Sequence, residues 1–206
     1  MHLVEKNTLC SLVFYLAIVS LSISTPARAE TTPQPGYSRS IHRYAVPKIN
    51  VMTQEGIKTE LSAVLDHSGP IIVNFIFTSC SAICPIMTAI LSKVHATIGP
   101  STPNLHFVSI SIDPEQDTPA KLIEYAKKFK AGSNWQFLTG DLSQIQLVQR
   151  AFDAYRGDKM NHTFLTLMRA SNTSPWLRIE GAANAQELIG EYNLLMAGLG
   201  TDSSVK

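Results

Sequence analysis

The 206-residue chain is poor in cysteine and has almost no net charge, and both absences narrow its class. Three cysteines are too few for a scaffold held together by disulfides. The formal net charge is +1, from 17 basic and 16 acidic residues. This value gives no sign of the excess positive charge that is typical of nucleic-acid-binding proteins. Glycine and proline, at 11 residues each, are not enriched, and 45% apolar content excludes a disordered or collagen-like chain. These values indicate one globular domain with a short extra segment.

Long apolar runs are equally scarce, and the one candidate for a membrane segment lies at the extreme N-terminus. The run Leu9–Ile23 has 15 residues, three of them serine, whereas a spanning helix needs about 20 apolar residues. Lys6 precedes the run, and Ala27-Arg28-Ala29 follows it with small residues at the positions that a signal peptidase reads. We therefore predict a signal peptide over residues 1–29 and an exported, periplasmic protein. An uncleaved anchor is the alternative.

Removal of this segment leaves equal numbers of acidic and basic residues and two cysteines, Cys80 and Cys84. Export implies an oxidising compartment, where this pair forms a disulfide unless something else holds the sulfurs. Residues 30–45 are polar, contain two prolines, and predict a flexible leader. Residues 46–200 predict the folded domain, and residues 201–206 a frayed tail.

Within the domain, short apolar runs alternate with helical patterns in the order βαβαβαββα. Helices are predicted to begin near Cys80, Thr118, Asp141 and Asn184. Strands separated by helices require parallel crossovers, and a closing hairpin adds an antiparallel edge. The pattern predicts an α/β, thioredoxin-like three-layer fold with a central mixed sheet and a C-terminal β-hairpin plus helix. The predicted strands are Ile71–Phe77, Leu105–Ile112, Trp135–Leu138, Phe164–Met168 and Trp176–Ile179.

Two thiols lie where the first of these strands turns into a helix, in the sequence TSCSAICP at residues 78–85. The free N–H groups and partial positive charge of a helix N-terminus lower the pKa of a thiol. The resulting thiolate is both the nucleophile in disulfide exchange and the form that binds metal. If the first helical turn includes both cysteines, their spacing places both sulfurs on one side. Two soft ligands suit Cu(I) but require a third ligand from elsewhere.

His162 is the candidate for that third ligand. It lies in the loop of residues 157–163, immediately before a predicted strand. In a thioredoxin-like domain this loop packs against the cysteine turn. Other members carry a cis-proline there, whereas this chain has no proline in residues 156–173. A histidine at this point completes a Cys2His set with the two cysteines.

Each of these residues also has a plain structural interpretation. The Cys80/Cys84 pair is alternatively a structural disulfide or two buried thiols, and His162 a loop histidine with satisfied hydrogen bonds. Met87 and Met160 are further thioether candidates, although packing is the simpler role for both. Four other histidines carry no pattern that indicates chemistry: His42, His67, His95 and His106.

On these residues the chain resembles the Sco/SenC family, exported copper-binding thioredoxin-like proteins that help assemble the copper centre of cytochrome c oxidase. The resemblance covers about residues 46–199. It is carried by the strand VNFIFTSC, the CxxxCP motif, the segment SISIDPEQDTP (Ser109–Pro119), and His162 followed by an apolar strand. The resemblance implies that Cys80, Cys84 and His162 bind copper, and that the same cysteines cycle between thiol and disulfide.

The chain departs from the family pattern at two positions. Ala82 and Asn161 stand where the family usually has aspartate. The loss of two carboxylates favours thiolate and weakens the hold on a doubly charged cation. Cu(I) is therefore favoured over Cu(II) as the bound ion.

The acidic segment after the second predicted strand is expected to support the site without binding metal. The carboxylates of Asp113, Glu115 and Asp117 are hard oxygen ligands, which are ill suited to Cu(I). The segment is either a plain strand-to-helix turn capped by Thr118 or an acidic rim that docks a partner.

Two functions from different classes follow. The first is a metallochaperone that delivers copper to an oxidase subunit or to another copper chaperone. This function involves no nucleic acid, and it involves a membrane only through an uncleaved signal anchor. The alternative is an enzyme, a thiol–disulfide oxidoreductase whose redox pair Cys80 and Cys84 reduces copper-site cysteines of a partner. A peroxiredoxin-like scavenger is the least favoured function because no arginine partner for Thr78 and Cys80 is found.

Overall fold

The computed structural model describes residues 36–199. The predicted signal peptide over residues 1–29, with its cleavage position, and the predicted tail over residues 201–206 lie outside the described residues. Within the described range, no helix is both long enough and apolar enough to cross a membrane.

The described chain folds into a sheet of eight strands with five α-helices and one short 3₁₀ helix. The strands are β1 (Tyr37–His42), β2 (Asn50–Thr53), β3 (Lys58–Glu60), β4 (Ile71–Ile76), β5 (His106–Ser111), β6 (Trp135–Thr139), β7 (Leu165–Arg169) and β8 (Trp176–Gly181). The helices are α1 (Leu61–Leu65), α2 (Ile83–Ile98), α3 (Pro119–Lys128), α4 (Leu142–Ala151), the 3₁₀ helix Lys159–Asn161, and α5 (Ala185–Met196).

The sheet has the strand order β1-β8-β7-β4-β5-β6-β2-β3. The pairs β4–β5 and β5–β6 are parallel, whereas the other neighbouring strands run antiparallel. Helices α2 and α3 cover one face, where His95 packs against Phe107 and Tyr125 against Phe137. Phe152, the C-cap of α4, packs against Phe75 on the opposite face. The predicted α/β, thioredoxin-like fold with a central mixed sheet is therefore confirmed.

Local sequence explains the elements that surround the site. Every residue of β4 is buried, as expected for a central strand covered on both faces. The side chain of Thr118 caps α3, whose first residue is Pro119. Asn184 and Glu187 form the predicted capping box of α5. Asp141 occupies the N-cap of α4, but its side chain makes no capping hydrogen bond.

The N-terminal part of the domain corrects the sequence prediction. The expected flexible leader over residues 30–45 contains β1, which pairs along its whole length with β8. The closing hairpin is therefore not an edge of the sheet, because β1 covers β8. The strand has no strong apolar alternation since Ile41 is its one fully buried residue. Its polar side chains are used instead: Tyr37 and Arg39 both donate to the carboxylate of Glu191 on α5.

Candidate metal centre

The turn after β4 is fastened to the segment that follows β5. The carboxylate of Asp117 is fully buried and accepts hydrogen bonds from the backbone N–H of Thr78, at 3.1 and 3.2 Å from its two oxygens. It also accepts from the Thr78 hydroxyl at 2.6 Å and from the Ser111 hydroxyl at 2.6 Å. One buried carboxylate thus holds the chain two residues before Cys80.

Cys80 and Cys84 do not share a helical turn, which corrects the sequence expectation. Helix α2 begins at Ile83, so Cys84 lies in its first turn while Cys80 precedes it in a turn closed by the bond from Cys80 N–H to the Phe77 carbonyl. Both cysteines are free thiols. The chain folds back so that the backbone N–H groups of Ala82, Ile83 and Cys84 point at the Cys80 sulfur. The free N–H groups at the start of α2 therefore stabilise negative charge on the Cys80 sulfur, although Cys80 itself lies before the helix.

The two thiols have opposite acidities. Partial burial opposes ionisation of Cys80, but the hydrogen bonds from Cys84, Ala82 and Ile83 outweigh it and lower its pKa. Cys84 is completely buried, and burial raises its pKa well above that of an ordinary thiol. The site therefore combines a partly exposed thiol that ionises more readily than an ordinary cysteine with a buried thiol that keeps its proton.

The imidazole of His162 reaches the cysteine turn. Its Nε2 lies 2.9 Å from the carbonyl oxygen of Phe75 and its Nδ1 lies 3.8 Å from Sγ of Cys84. A carbonyl only accepts, so Nε2 carries the proton and Nδ1 presents its lone pair to the thiol of Cys84. Burial lowers the pKa of His162, opposed by the bond to Phe75, so the neutral ring is favoured. Strand β7 pairs with β4 only as far as Asn74, and the carbonyl of the next residue, Phe75, accepts the hydrogen bond from His162.

The three predicted ligands lie near one another, but their donor atoms do not surround a common metal position. Cys84 contacts both His162 and Cys80. Within residues 36–199, no group of three or more histidine, cysteine or acidic side chains forms a ready-made metal cluster.

The other candidate ligands lie apart from this contact or have other roles. Met87 is buried in the core, as the packing interpretation requires, whereas Met160 is 73% exposed and packs against little. The ring of His95 bonds Asn134, and His67 packs on His106.

Sequence reasoning missed the contacts that hold the two halves of the site. Asp117 binds the cysteine turn, and Lys159 forms an ion pair with Asp113 at 2.6 Å. Asp113 and Asp117 are buried, so the alternative of an acidic rim reduces to Glu115, which is exposed. The spacing of two aspartates before a helix cap was the available signal, but their partners lie about 40 residues away in sequence.

Comparison with known proteins places this geometry in a family. The family model for SCO1/SenC matches residues 53–196. The SCO1 protein homolog of Bacillus subtilis (strain 168) is 30% identical over 114 residues, which cover 55% of this chain and 58% of that protein. The chain therefore matches only slightly more than half the length of this relative.

Solved structures agree with the fold. BsSco, described as having a disulfide switch and as a member of the Sco family of cytochrome c oxidase assembly proteins, superposes with a TM-score of 0.62 at 25% identity, covering 75% of this chain and 94% of that one. Arabidopsis thaliana ScoI, solved with copper bound, gives a TM-score of 0.58 at 21% identity, covering 76% and 96%. The family match spans most of the chain, including both cysteines and His162, and the chain therefore belongs to the SCO1/SenC family.

Proposed function

We propose that this chain is an exported copper-binding protein that delivers copper to the copper centre of a respiratory oxidase, with Cys80, Cys84 and His162 as ligands. The carrying observation is the orientation of the His162 ring, whose Nε2–H is bonded to the Phe75 carbonyl while Nδ1 faces Cys84. Metal-binding histidines usually donate their other N–H in this way, which fixes the tautomer. Copper in the related ScoI structure and the assembly role described for the Sco family support the same function.

The donor set suits copper in its reduced state. Two thiolates and one imidazole are soft and borderline ligands, which favour Cu(I) over hard divalent cations. The flanking positions Ala82 and Asn161 are exposed and carry no charge. The absence of carboxylates there removes a source of attraction for a doubly charged ion.

The protonation and exposure of the two cysteines determine how copper binds and how it is released. The lowered pKa of Cys80 makes its proton easier to lose, whereas Cys84 must lose the proton that it donates toward His162. Copper binding therefore releases protons and strengthens as the pH rises. Cys80 is the more accessible ligand, so an incoming donor from an acceptor protein replaces it first.

Copper stoichiometry of the purified full chain tests this function. The wild type is expected to hold one copper, and Cys80→Ser and Cys84→Ser to hold none because a hydroxyl is a poor soft ligand. Ser79→Ala, which changes an exposed residue of the same turn without removing a thiol, is the matched control. His162→Ala should change the spectrum of the Cu(II)-loaded protein. Unchanged copper content in Cys84→Ser would refute the ligand assignment.

A second function is favoured by the opposite acidities of the two thiols. In thiol–disulfide exchange, the Cys80 thiolate attacks a partner disulfide and releases one partner thiolate. Cys84 then passes its proton to Nδ1 of His162 and attacks Sγ of Cys80, which releases the second partner sulfur. The protein ends as a disulfide, and two electrons have passed to the partner.

Redox titration separates the two functions. A metal-free dithiol with a potential above about −300 mV, in the range of labile pairs, supports the oxidoreductase. One tightly held copper per chain with a potential below that range supports the metallochaperone.

A further inference from the structure

Four exposed lysines lie on or just after α3, and two of them, Lys121 and Lys128, line a pocket together with Thr78 of the cysteine turn. Lys121, Lys127, Lys128 and Lys130, on α3 and just after it, are all exposed and are called here the lysine ridge. Glu124 is the one acidic residue on the same stretch. None of the five ion pairs found in residues 36–199 involves these lysines. The ridge therefore presents four positive charges against one negative charge.

The ridge borders the approach to the reactive thiol. A shallow pocket of about 300 Å³ is lined by Thr78, Lys121, Glu124, Tyr125 and Lys128. Thr78 lies two residues before Cys80 in the turn that Asp117 anchors. A group in this pocket lies next to Lys121 and Lys128, and the pocket residue Tyr125 lies within electrostatic range of Cys80.

Glu124 offsets one of these lysines, whereas the two buried carboxylates near the turn are already bonded. Asp117 is fully buried, and its oxygens are occupied by Thr78 and Ser111. Asp113 is buried against Lys159. At an ionic strength of about 0.1 M the screening length is about 10 Å, so an uncompensated cluster next to a reactive atom attracts anionic groups.

We propose that the lysine ridge is a docking surface for an acidic protein segment that brings its thiol or metal ligands to Cys80. The inference rests on the proposed function, since it requires exchange at Cys80, and it adds the chemistry of the partner. Charge complementarity selects the partner and speeds the encounter more than it tightens the final complex.

The reduced, metal-free full chain tests this inference with three short peptides. Each peptide carries one cysteine as a thiopyridyl disulfide, flanked by glutamates, by glutamines or by lysines. The Cys80 thiolate attacks the peptide sulfur, which forms a protein–peptide disulfide and releases pyridine-2-thione, whose absorbance gives the rate. The ratio of rates between wild type and variant for one peptide cancels the intrinsic reactivity of that peptide.

At about 20 mM salt, the wild type should react about five-fold faster with the acidic than with the neutral peptide, and this preference should vanish at about 500 mM salt. The double variant Lys121→Glu/Lys128→Glu should lose or invert the preference. Arg43→Glu/Lys48→Glu makes the same charge change at two exposed positions between β1 and β2 and should keep it. Equal rates for the acidic and neutral peptides, or a preference that the double variant retains, would overturn the proposal.

Two further measurements separate the remaining explanations. The first measurement is binding to vesicles that contain anionic lipid. The proposal is wrong, and the ridge binds a membrane, if the wild type binds these vesicles, the Lys121→Glu/Lys128→Glu variant does not, and the acidic and neutral peptides react at equal rates. Copper content is measured independently of these rates. If the chain binds no copper but prefers the acidic peptide, the copper function is wrong and this inference stands. If it binds copper but shows no preference for the acidic peptide, this inference is wrong and the copper function stands.

Discussion

The ammonium group of Lys159 lies 2.6 Å from a carboxylate oxygen of Asp113. The same ammonium lies over the ring of Phe77, at 5.7 Å from its centroid, and that ring packs edge-on against His162. Bonding to Asp113 raises the pKa of Lys159, so the ammonium group stays charged at neutral pH. The loop that carries His162 is therefore fastened to the segment after β5.

Replacing Lys159 with methionine should loosen that loop without removing a ligand. We expect one copper per chain still, but release of Cu(I) to a competing chelator about five-fold faster, which corresponds to about 1 kcal/mol for a partly exposed ion pair. Faster amide exchange in residues 158–163 of the metal-free protein is the second measurement. Lys48→Met is the matched control, and release at the wild-type rate in Lys159→Met would contradict the prediction.

Asp117 should matter for stability and not for metal. In Asp117→Asn, an amide NH2 faces the donors of Thr78 and Ser111, so we expect the free energy of unfolding to fall by about 2–3 kcal/mol. Glu115→Gln, at an exposed position, should leave it unchanged. Urea unfolding checks both variants. Loss of copper from Glu115→Gln while it remains folded would mean that the ligands are assigned wrongly.

Restoring the two missing carboxylates should shift the preference between copper ions. Ala82 is the N-cap of α2 and its N–H points at Cys80, so an aspartate there adds negative charge close to the sulfur. We expect Ala82→Asp/Asn161→Asp to bind Cu(II) about ten-fold more tightly, equivalent to about 1.4 kcal/mol, with a smaller change for Cu(I). Titration with each ion under matched conditions is the measurement.

The neutral substitution Ala82→Asn controls for side-chain size in that comparison. If the double variant holds Cu(II) no better than the wild type, the electrostatic explanation of these two positions fails.

His67 should make stability depend on acid pH. Its Nδ1 accepts from Gly69 N–H at 3.0 Å and its Nε2 is buried with no partner. Burial lowers the pKa of His67, and the nearby His106 and Arg169 lower it further. The stabilisation is complete above the ordinary pKa of about 6.5 and is lost as the pH falls through the lower folded value.

We therefore expect the free energy of unfolding to fall between pH 7 and pH 5, and to fall less steeply in His67→Asn, whose amide oxygen still accepts from Gly69. Urea unfolding across that range is the measurement. An identical slope in the two proteins would contradict the assignment.

The sequence predicted most of the fold because its signals there are local. The apolar run of β4, Thr118 with Pro119 at the start of α3, and the Asn184–Glu187 box each specify their own element. The order from β4 to α5 followed from such signals. Strand β1 could not be predicted, because its pairing with β8 spans more than 130 residues and its outward side chains are polar.

The site was predictable in residue type more than in arrangement. The spacing of Cys80 and Cys84 suggested a shared helical turn, whereas α2 begins between them. The tautomer of His162 depends on a carbonyl 87 residues earlier, which no local pattern encodes.

Strand β1 also belongs to the folded domain, which therefore extends to the N-terminal side of residue 46. A chain shortened to start at Val46, where the sequence pattern places the domain, would lose β1 and leave the outer N–H and C=O groups of β8 open to a strand of another molecule. The Glu191 side chain, only 7% exposed, would lose its bonds to Tyr37 and Arg39. Such a truncated chain would self-associate through that edge, so β1 prevents edge-to-edge polymerisation by occupying the edge of β8.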